Sequence, residues 1–156
     1  MTTSPAVDLD PRQSARWLAA LTAHIHAGVL LEDDQRHIVV VNQAFCALFG
    51  LTLPAQSLIG SDGAHLKHDL KAMFAEPERF VSETSDLLER GEPIEGQPYV
   101  LADGRFIERD YVPLPLGGSR HGHLWLYRDV SASYKAAQAL QESEERLRRL
   151  TDNMLD

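Results

Sequence analysis

Residues 95–130, EGQPYVLADGRFIERDYVPLPLGGSRHGHLWLYRDV, contain three strand patterns separated by two glycine turns. In each pattern polar and apolar side chains alternate, which is typical of strands with one buried face. The turns are Ala102-Asp103-Gly104 and Gly117-Gly118-Ser119, and turns this short join antiparallel strands. We therefore predict antiparallel strands over residues 95–101, 105–113 and 121–130.

Two further strands are predicted upstream, where GVLLED (28–33) and HIVVVN (37–42) flank a polar hairpin turn. Downstream of them, helical patterns end at Gly50 and Gly91, because glycine is a common helix stop. Five antiparallel strands with helices over one face are the economical packing of these elements, which makes the fold class α+β. The central helices are predicted at residues 43–50, 65–74 and 76–90.

A helix is predicted at each end of this domain. Asp10-Pro11 is a helix start, and the helix that follows, ending near His26, carries an apolar stripe. From Ser131 onward the chain has neither proline nor glycine, and apolar residues recur at heptad spacing, which favours a coiled coil. The alternative is a single amphipathic helix packed on its own domain. The N-terminal stripe is Trp17, Leu18, Leu21 and Ile25, and the C-terminal seam includes Leu140, Leu147, Leu150 and Met154.

Composition and charge narrow the class of protein. The chain has 156 residues and a formal net charge of -8, which argues against partners that are nucleic acids or anionic membranes. Its one cysteine, Cys46, excludes an internal disulfide. No apolar stretch approaches the roughly 18 residues needed to span a bilayer, and the N-terminus lacks the features of a secretory signal. We expect a cytoplasmic location.

The order of these segments resembles the PAS family. The resemblance rests on GVLLEDDQRHIVVVNQAFCALFG, LIG at 58–60, DGRFIERDYVPL and GHLWLYRDVS, and it covers about residues 20–132. It implies a sheet in the order 2-1-5-4-3 whose inner face, with the helices, encloses a pocket. Domains of this family sense ligands, redox state or light, or only mediate dimerisation, and the fold does not settle which.

The resemblance also implies a domain organisation. QESEERLRRLTDNMLD resembles the helix that leads from one PAS repeat into another, so we expect an effector domain beyond Asp156, such as a kinase of a two-component system or a cyclic-dinucleotide enzyme. The expected units are a leader and N-terminal helix (1–26), a PAS domain (27–131) and a coiled-coil linker helix (132–156).

Strand alternation predicts which side chains face the pocket. Hydrophobicity alone would turn Leu124 and Leu126 inward. The resemblance instead implies that Tyr127, two residues before the closing Asp129, faces the pocket. We prefer this second interpretation, which predicts a ligand-binding set of Arg109, Tyr111, His123, Trp125 and Tyr127.

Arg109 is the informative member of this set. A buried guanidinium needs a partner, and a carboxylate or phosphate of a small ligand matches its bidentate geometry. The alternative is that Arg109 pairs with an internal carboxylate, such as Glu108 or Asp110, or faces solvent.

A homodimer is predicted from the apolar positions left outside this pocket. The predicted interface combines the N-terminal stripe (Trp17, Leu18, Leu21, Ile25), the outer strand face (Leu124, Leu126) and the C-terminal seam (Leu140, Leu147, Leu150).

Catalysis and cofactors receive little support from the sequence. No phosphate-binding glycine loop, GxSxG or HExxH motif occurs, so we predict no enzyme activity.

The loop that carries the reactive cysteine in flavin photosensors of the LOV branch has none here, and the helix over 76–90 offers no axial histidine for heme. His65 and His68 leave a heme or metal site open, although surface histidines are the simpler explanation. The cofactor is therefore unknown, and the alternatives to a ligand sensor are a ligand-free dimerisation module and a heme or flavin sensor.

Overall fold

A computed structural model describes residues 11–154 and shows one five-stranded antiparallel sheet. The strand order is β2-β1-β5-β4-β3, so the predicted α+β fold and sheet order are confirmed. The predicted leader, the Asp10 cap and the last two residues lie outside the described part of the chain. The strands are β1 (Gly28–Glu32), β2 (Ile38–Val41), β3 (Ile94–Val100), β4 (Phe106–Gly117) and β5 (Arg120–Asp129).

Strands β4 and β5 form the long central hairpin that positions the predicted site. Arg109 lies opposite Tyr127 and Tyr111 lies opposite Trp125, so these four side chains share one face. Strand β4 continues to Gly117, further than the predicted end at Pro113. Since β3 begins at Ile94, opposite Tyr111, the part of β4 beyond Tyr111 is a sheet edge, where proline is tolerated.

Helices α2 (Gln43–Leu48), α3 (Gly63–Leu70) and α4 (Pro77–Arg90) cover the inner face of the sheet. The predicted helix over 65–74 is divided: α3 begins earlier, because Asp62 caps the amide of Ala64, and a 3-10 turn, Lys71–Met73, follows it. Helix α4 ends as predicted at Gly91, whose left-handed φ of 61° suits glycine.

The core between these helices and the sheet is rich in aromatic side chains. Phe74 and Phe80 stack with ring centroids 3.9 Å apart, and the Tyr127 ring packs against Phe45 and Phe49. Such offset and edge contacts fill space tightly. The interior beneath the helices is therefore largely occupied by the protein's own rings.

Helices α1 (Pro11–Ala23) and α5 (Ser131–Met154) flank this domain. Helix α1 ends before the predicted His26 and lies beside β2, where Leu18 lines a groove. None of the described side chains of α5 is buried. Within residues 11–154 no helix combines the length and the apolar character that a membrane crossing requires.

Candidate ligand-binding site

All five residues of the predicted ligand-binding set lie together on the inner face of the sheet. The side chains of β4 and β5 that alternate with them are partly exposed on the outer face, as the alternation predicted. Leu124 and Leu126 are half-buried there. The inward orientation is thus observed, whereas ligand binding by this set stays a prediction. The buried set is Arg109, Tyr111, His123, Trp125 and Tyr127.

Arg109 is fully buried and makes no ion pair with any residue in the described range 11–154. Its guanidinium donates to Gln97 Oε1 at 2.8 and 3.0 Å, to Thr84 Oγ1 at 2.6 Å and to the Tyr99 hydroxyl at 3.0 Å. All its acceptors are neutral groups. The Tyr99 hydroxyl in turn donates to Glu83 Oε2, which places negative charge one residue further away.

The alternative partners considered for Arg109 are therefore wrong. Glu108 and Asp110 point to the outer face and pair with Arg128, whose guanidinium reaches Asp110 Oδ1 at 2.8 Å. This pairing holds the pKa of Asp110 below its usual value, because Arg128 donates to the carboxylate. Arg109 neither pairs with these carboxylates nor faces solvent.

A buried ionic cluster around Glu32 completes the inner face. Glu32 is only 1% exposed, and it accepts hydrogen bonds from Lys67 Nζ at 3.1 Å, from Arg36 Nε at 3.0 Å and from the Trp125 indole. Glu32 was not among the residues predicted to face inward. The available signal was the alternation of β1, which puts Glu32 on the same face as Leu30.

Lys67 is the other member of the cluster that the sequence reasoning missed. It is 4% exposed, and its Nζ lies 3.2 Å from the centroid of the Trp125 ring. Burial lowers the pKa of Lys67 well below its usual value, and the charges of Arg36 and Arg109 lower it further, whereas Glu32 opposes the change. The spacing of Gly63, Lys67 and Leu70 on one buried helix face was the signal for this position.

Two local features hold this cluster in place. A Cβ at Gly63 would overlap the Glu32 carboxylate, so glycine lets α3 approach β1 closely. The second feature lies on β4 and β5, where the Tyr111 hydroxyl and His123 Nδ1 are 2.7 Å apart. Burial lowers the pKa of His123 below its usual 6.5, which favours the neutral imidazole.

A cavity of about 180 Å³ opens beside the cluster, between α3 and α4. Arg36 and Lys67 line it on one side, and Phe80, Val81 and Leu88 line it on the other. The Nη2 of Arg36 is buried and is the one buried side-chain nitrogen or oxygen of residues 11–154 without a hydrogen-bond partner. The site can therefore donate a further hydrogen bond from its cationic end.

Residues 22–135 match the family described as the PAS fold, and this match covers most of the chain. The chain belongs to the PAS family. Its structure is similar to the PAS domain of BvgS from Bordetella pertussis, with a TM-score of 0.55 and 16% identity, covering 85% of this chain and 98% of that chain. Identity at this level shows a shared fold and leaves the ligand open.

Two further solved structures have a similar fold. One is the DhaR(N)-DhaL complex of E. coli, with a TM-score of 0.57 and 14% identity, covering 76% of this chain and 36% of that chain. The other is the sensor region of a sensor histidine kinase, with a TM-score of 0.53 and 18% identity, covering 69% of this chain and 40% of that chain. No curated protein gives a significant sequence match.

The residues considered for cofactor or metal binding are spread over the PAS domain. His65 is exposed and lies near Asp69, with Nε2 to Oδ2 at 3.5 Å. Cys46 is buried in α2, where burial raises the pKa of its thiol. In the described chain, no three or more His, Cys, Asp or Glu side chains are grouped so that they could hold a metal ion.

Proposed function

We propose that this PAS domain is a sensor that binds a small molecule at the inner sheet face and passes the signal through α5. The observation that carries the proposal is the burial of Glu32, Lys67 and Arg109 beneath the helices. Burying charged groups is unfavourable, and an apolar core of the same size would stabilise the fold at least as well. Perturbed, buried charges beside a cavity are characteristic of binding sites.

The start of α5 is tied directly to the strand that carries Arg109. Phe106, the first residue of β4, donates its amide to Ser131 Oγ at 2.9 Å. The Phe106 ring also stacks on Tyr134 in the first turn of α5, with centroids 4.0 Å apart. A shift of β4 on ligand binding would therefore act on the helix through Ser131 and Tyr134.

The exposed seam of α5 supports a dimeric output. Leu140, Leu147 and Leu150 are each more than 60% exposed, and a heptad seam of this kind pairs with a second helix. In the proposed mechanism the ligand binds two arrangements of the paired helices with different affinity and shifts their populations. A kinase or a cyclic-dinucleotide enzyme attached to α5 would respond to that shift.

A double electron–electron resonance experiment tests the proposal. Spin labels on Arg148→Cys, an exposed α5 position outside the seam, report the distance between paired helices, with Cys46→Ala removing the buried thiol. Small molecules released from the purified protein are identified by mass spectrometry and added back. We expect the distance distribution to change at saturation and the Tyr134→Ala variant to lose this change. An unchanged distribution with a bound ligand would contradict the proposal.

A second candidate, a ligand-free dimerisation module, is favoured by the aromatic filling of the core. Phe45, Phe49, Phe74 and Phe80 are all nearly inaccessible, and the cavity beside the ionic cluster is smaller than the ~300–1,000 Å³ of ordinary ligand pockets. This candidate predicts that no small molecule is released from the purified protein and that none raises its Tm. A visible absorption spectrum separately tests for heme or flavin.

A further inference from the structure

We infer that the cavity between α3 and α4 binds a small carboxylate with a short carbon chain, held by Arg36 and Lys67. The inference rests on the proposed sensory function and specifies the class of ligand. It concerns a different part of the inner face from Arg109, which was the residue singled out by the sequence. Every guanidinium nitrogen of Arg109 already donates to Gln97, Thr84 or Tyr99, so it has no nitrogen without a partner, unlike Arg36.

The charge balance around the cavity favours an anion. Arg36 and Lys67 both pair with the single carboxylate of Glu32. A third cation, Arg109, approaches through Thr84, which lines the cavity and accepts its hydrogen bond at 2.6 Å. Two basic side chains, Arg36 and Lys67, thus share one carboxylate, whereas Glu83 lies near Arg109. A bound anion would offset the excess of basic groups beside Glu32.

Unused hydrogen-bonding capacity lies on the same residues. Arg36 Nη2 is buried without a partner in the described chain, and an unpaired buried donor is unfavourable. Glu32 Oε2 takes only the Nε of Arg36 among the side-chain donors of the described residues. A carboxylate of the ligand would accept a charge-assisted hydrogen bond from the free nitrogen.

The size and the remaining walls of the cavity define the rest of the ligand. A volume of about 180 Å³ equals roughly six waters at about 30 Å³ each, which fits a molecule of a few carbons. Phe80, Val81 and Leu88 on α4 provide apolar surface opposite the cations, and Ala64 adds to it from α3. A short alkyl chain matches these walls better than the oxygens of phosphate or sulfate.

Titration of the full 156-residue protein with defined probes tests the inference. Acetate, propionate, butyrate and succinate are compared with phosphate, sulfate and chloride at constant ionic strength, with Tm and calorimetric binding as readouts. We expect saturable binding and a rise in Tm for one or more of the carboxylates, and no saturation for chloride, sulfate or phosphate.

Variants locate the binding within the cavity. Arg36→Gln is expected to weaken the affinity for the carboxylate that binds best about tenfold or more, since a charged donor is lost. The double variant Glu32→Gln with Lys67→Met removes both members of the buried pair and leaves Arg36 as the one charged member of the cluster, and it is expected to weaken binding. Arg90→Gln at the exposed end of α4 and Lys71→Met beyond α3 are matched controls that should bind as the parent does.

The outcomes separate the inference from the proposed function. Carboxylate binding that is unchanged in Arg36→Gln and in the double variant overturns the inference, as does saturable binding of phosphate or sulfate alone. If no carboxylate binds but another released molecule raises Tm and changes the α5 distance, the carboxylate inference is wrong and the sensory function stands. If no small molecule has either effect, both fail.

Discussion

The inner face of the sheet and the two flanking helices have opposite surface chemistry. The inner face buries Glu32, Lys67 and Arg109, although buried residues are usually apolar. The flanking helices expose Trp17 and Leu147, at 61% and 62%, although they face water in the single chain. The contrast agrees with the proposed function, in which a small anion binds beside the buried charges and a second chain covers the exposed apolar residues.

The largest effect is expected at the ionic cluster. Lys67→Met alone leaves Glu32 buried with one cationic partner fewer, and should lower the free energy of unfolding by about 3–5 kcal/mol. Adding Glu32→Gln should restore part of the loss, because the buried carboxylate is removed, although Arg36 then loses its ion-pair partner. Urea denaturation of the four proteins of this double-mutant cycle measures the coupling. Equal losses in the single and double variants would show that the pair has no special role.

A smaller loss is expected at Arg109. Arg109→Met leaves the buried oxygens of Gln97 and Thr84 without their donor. Each such group lowers the free energy of unfolding by about 1–3 kcal/mol. Arg79→Met is the control, since Arg79 makes exposed ion pairs with Glu76 and Glu83 and should cost less than about 1 kcal/mol. Similar unfolding midpoints for the two variants would mean that the interior network around Arg109 is not stabilising.

The buried imidazole should make stability depend on pH. Because the pKa of His123 is lowered from 6.5 by burial, the unfolded chain binds more protons than the folded one just below pH 6.5. The free energy of unfolding should therefore fall as the pH drops from 6.5 toward the folded pKa, by at most about 1.4 kcal/mol for each unit of lowering.

His123→Gln removes this titration while keeping a side chain that can bond to the Tyr111 hydroxyl. Unfolding is measured between about pH 5 and 7.5, a range that brackets the ordinary histidine pKa of ~6.5. The free energy of unfolding should depend less on pH in the variant. The other charges facing the imidazole, from Glu32, Arg36, Lys67 and His121, stay in both proteins. Identical pH profiles would place the sensitivity on another group.

The smallest effect on domain stability is expected at the exterior seam. Leu147→Asp should change the unfolding of the PAS domain by no more than about 0.5 kcal/mol at low protein concentration, since the residue has no buried contacts in the single chain. It should, however, convert a dimer into a monomer in light scattering, because a charge in the seam opposes helix pairing. A dimer that persists would assign the interface to α1 or to the outer sheet face.

Much of the fold was predictable because it depends on local patterns. Hairpin turns and period-two alternation in β4 and β5 predicted which side chains share a face, and the family resemblance indicated that the face with Trp125 and Tyr127 is the inner one. The glycine stop at Gly91 fixed the end of α4. These features depend on neighbouring residues along the chain, which a sequence displays directly.

The ionic cluster was not predictable in the same way, because it joins distant segments. Lys67 and Glu32 are 35 residues apart, and polar residues on a short helix and at a hairpin are usually exposed. The partners of Arg109 were missed for a related reason: Gln97 and Thr84 are neutral residues on β3 and α4. Only the packing of α3 and α4 on the sheet brings these groups together.

The chain's two tryptophans allow the most direct test of the account. The Trp125 indole donates to Glu32 within the ionic cluster, whereas Trp17 lies exposed on α1. The full chain is titrated separately with acetate, propionate, butyrate and succinate, and ¹⁵N–¹H correlation spectra are recorded. With the carboxylate that binds best, we predict a saturable shift of the Trp125 indole resonance and none for Trp17. A Trp125 resonance that stays in place at every concentration would contradict the account, as would equal shifts of both.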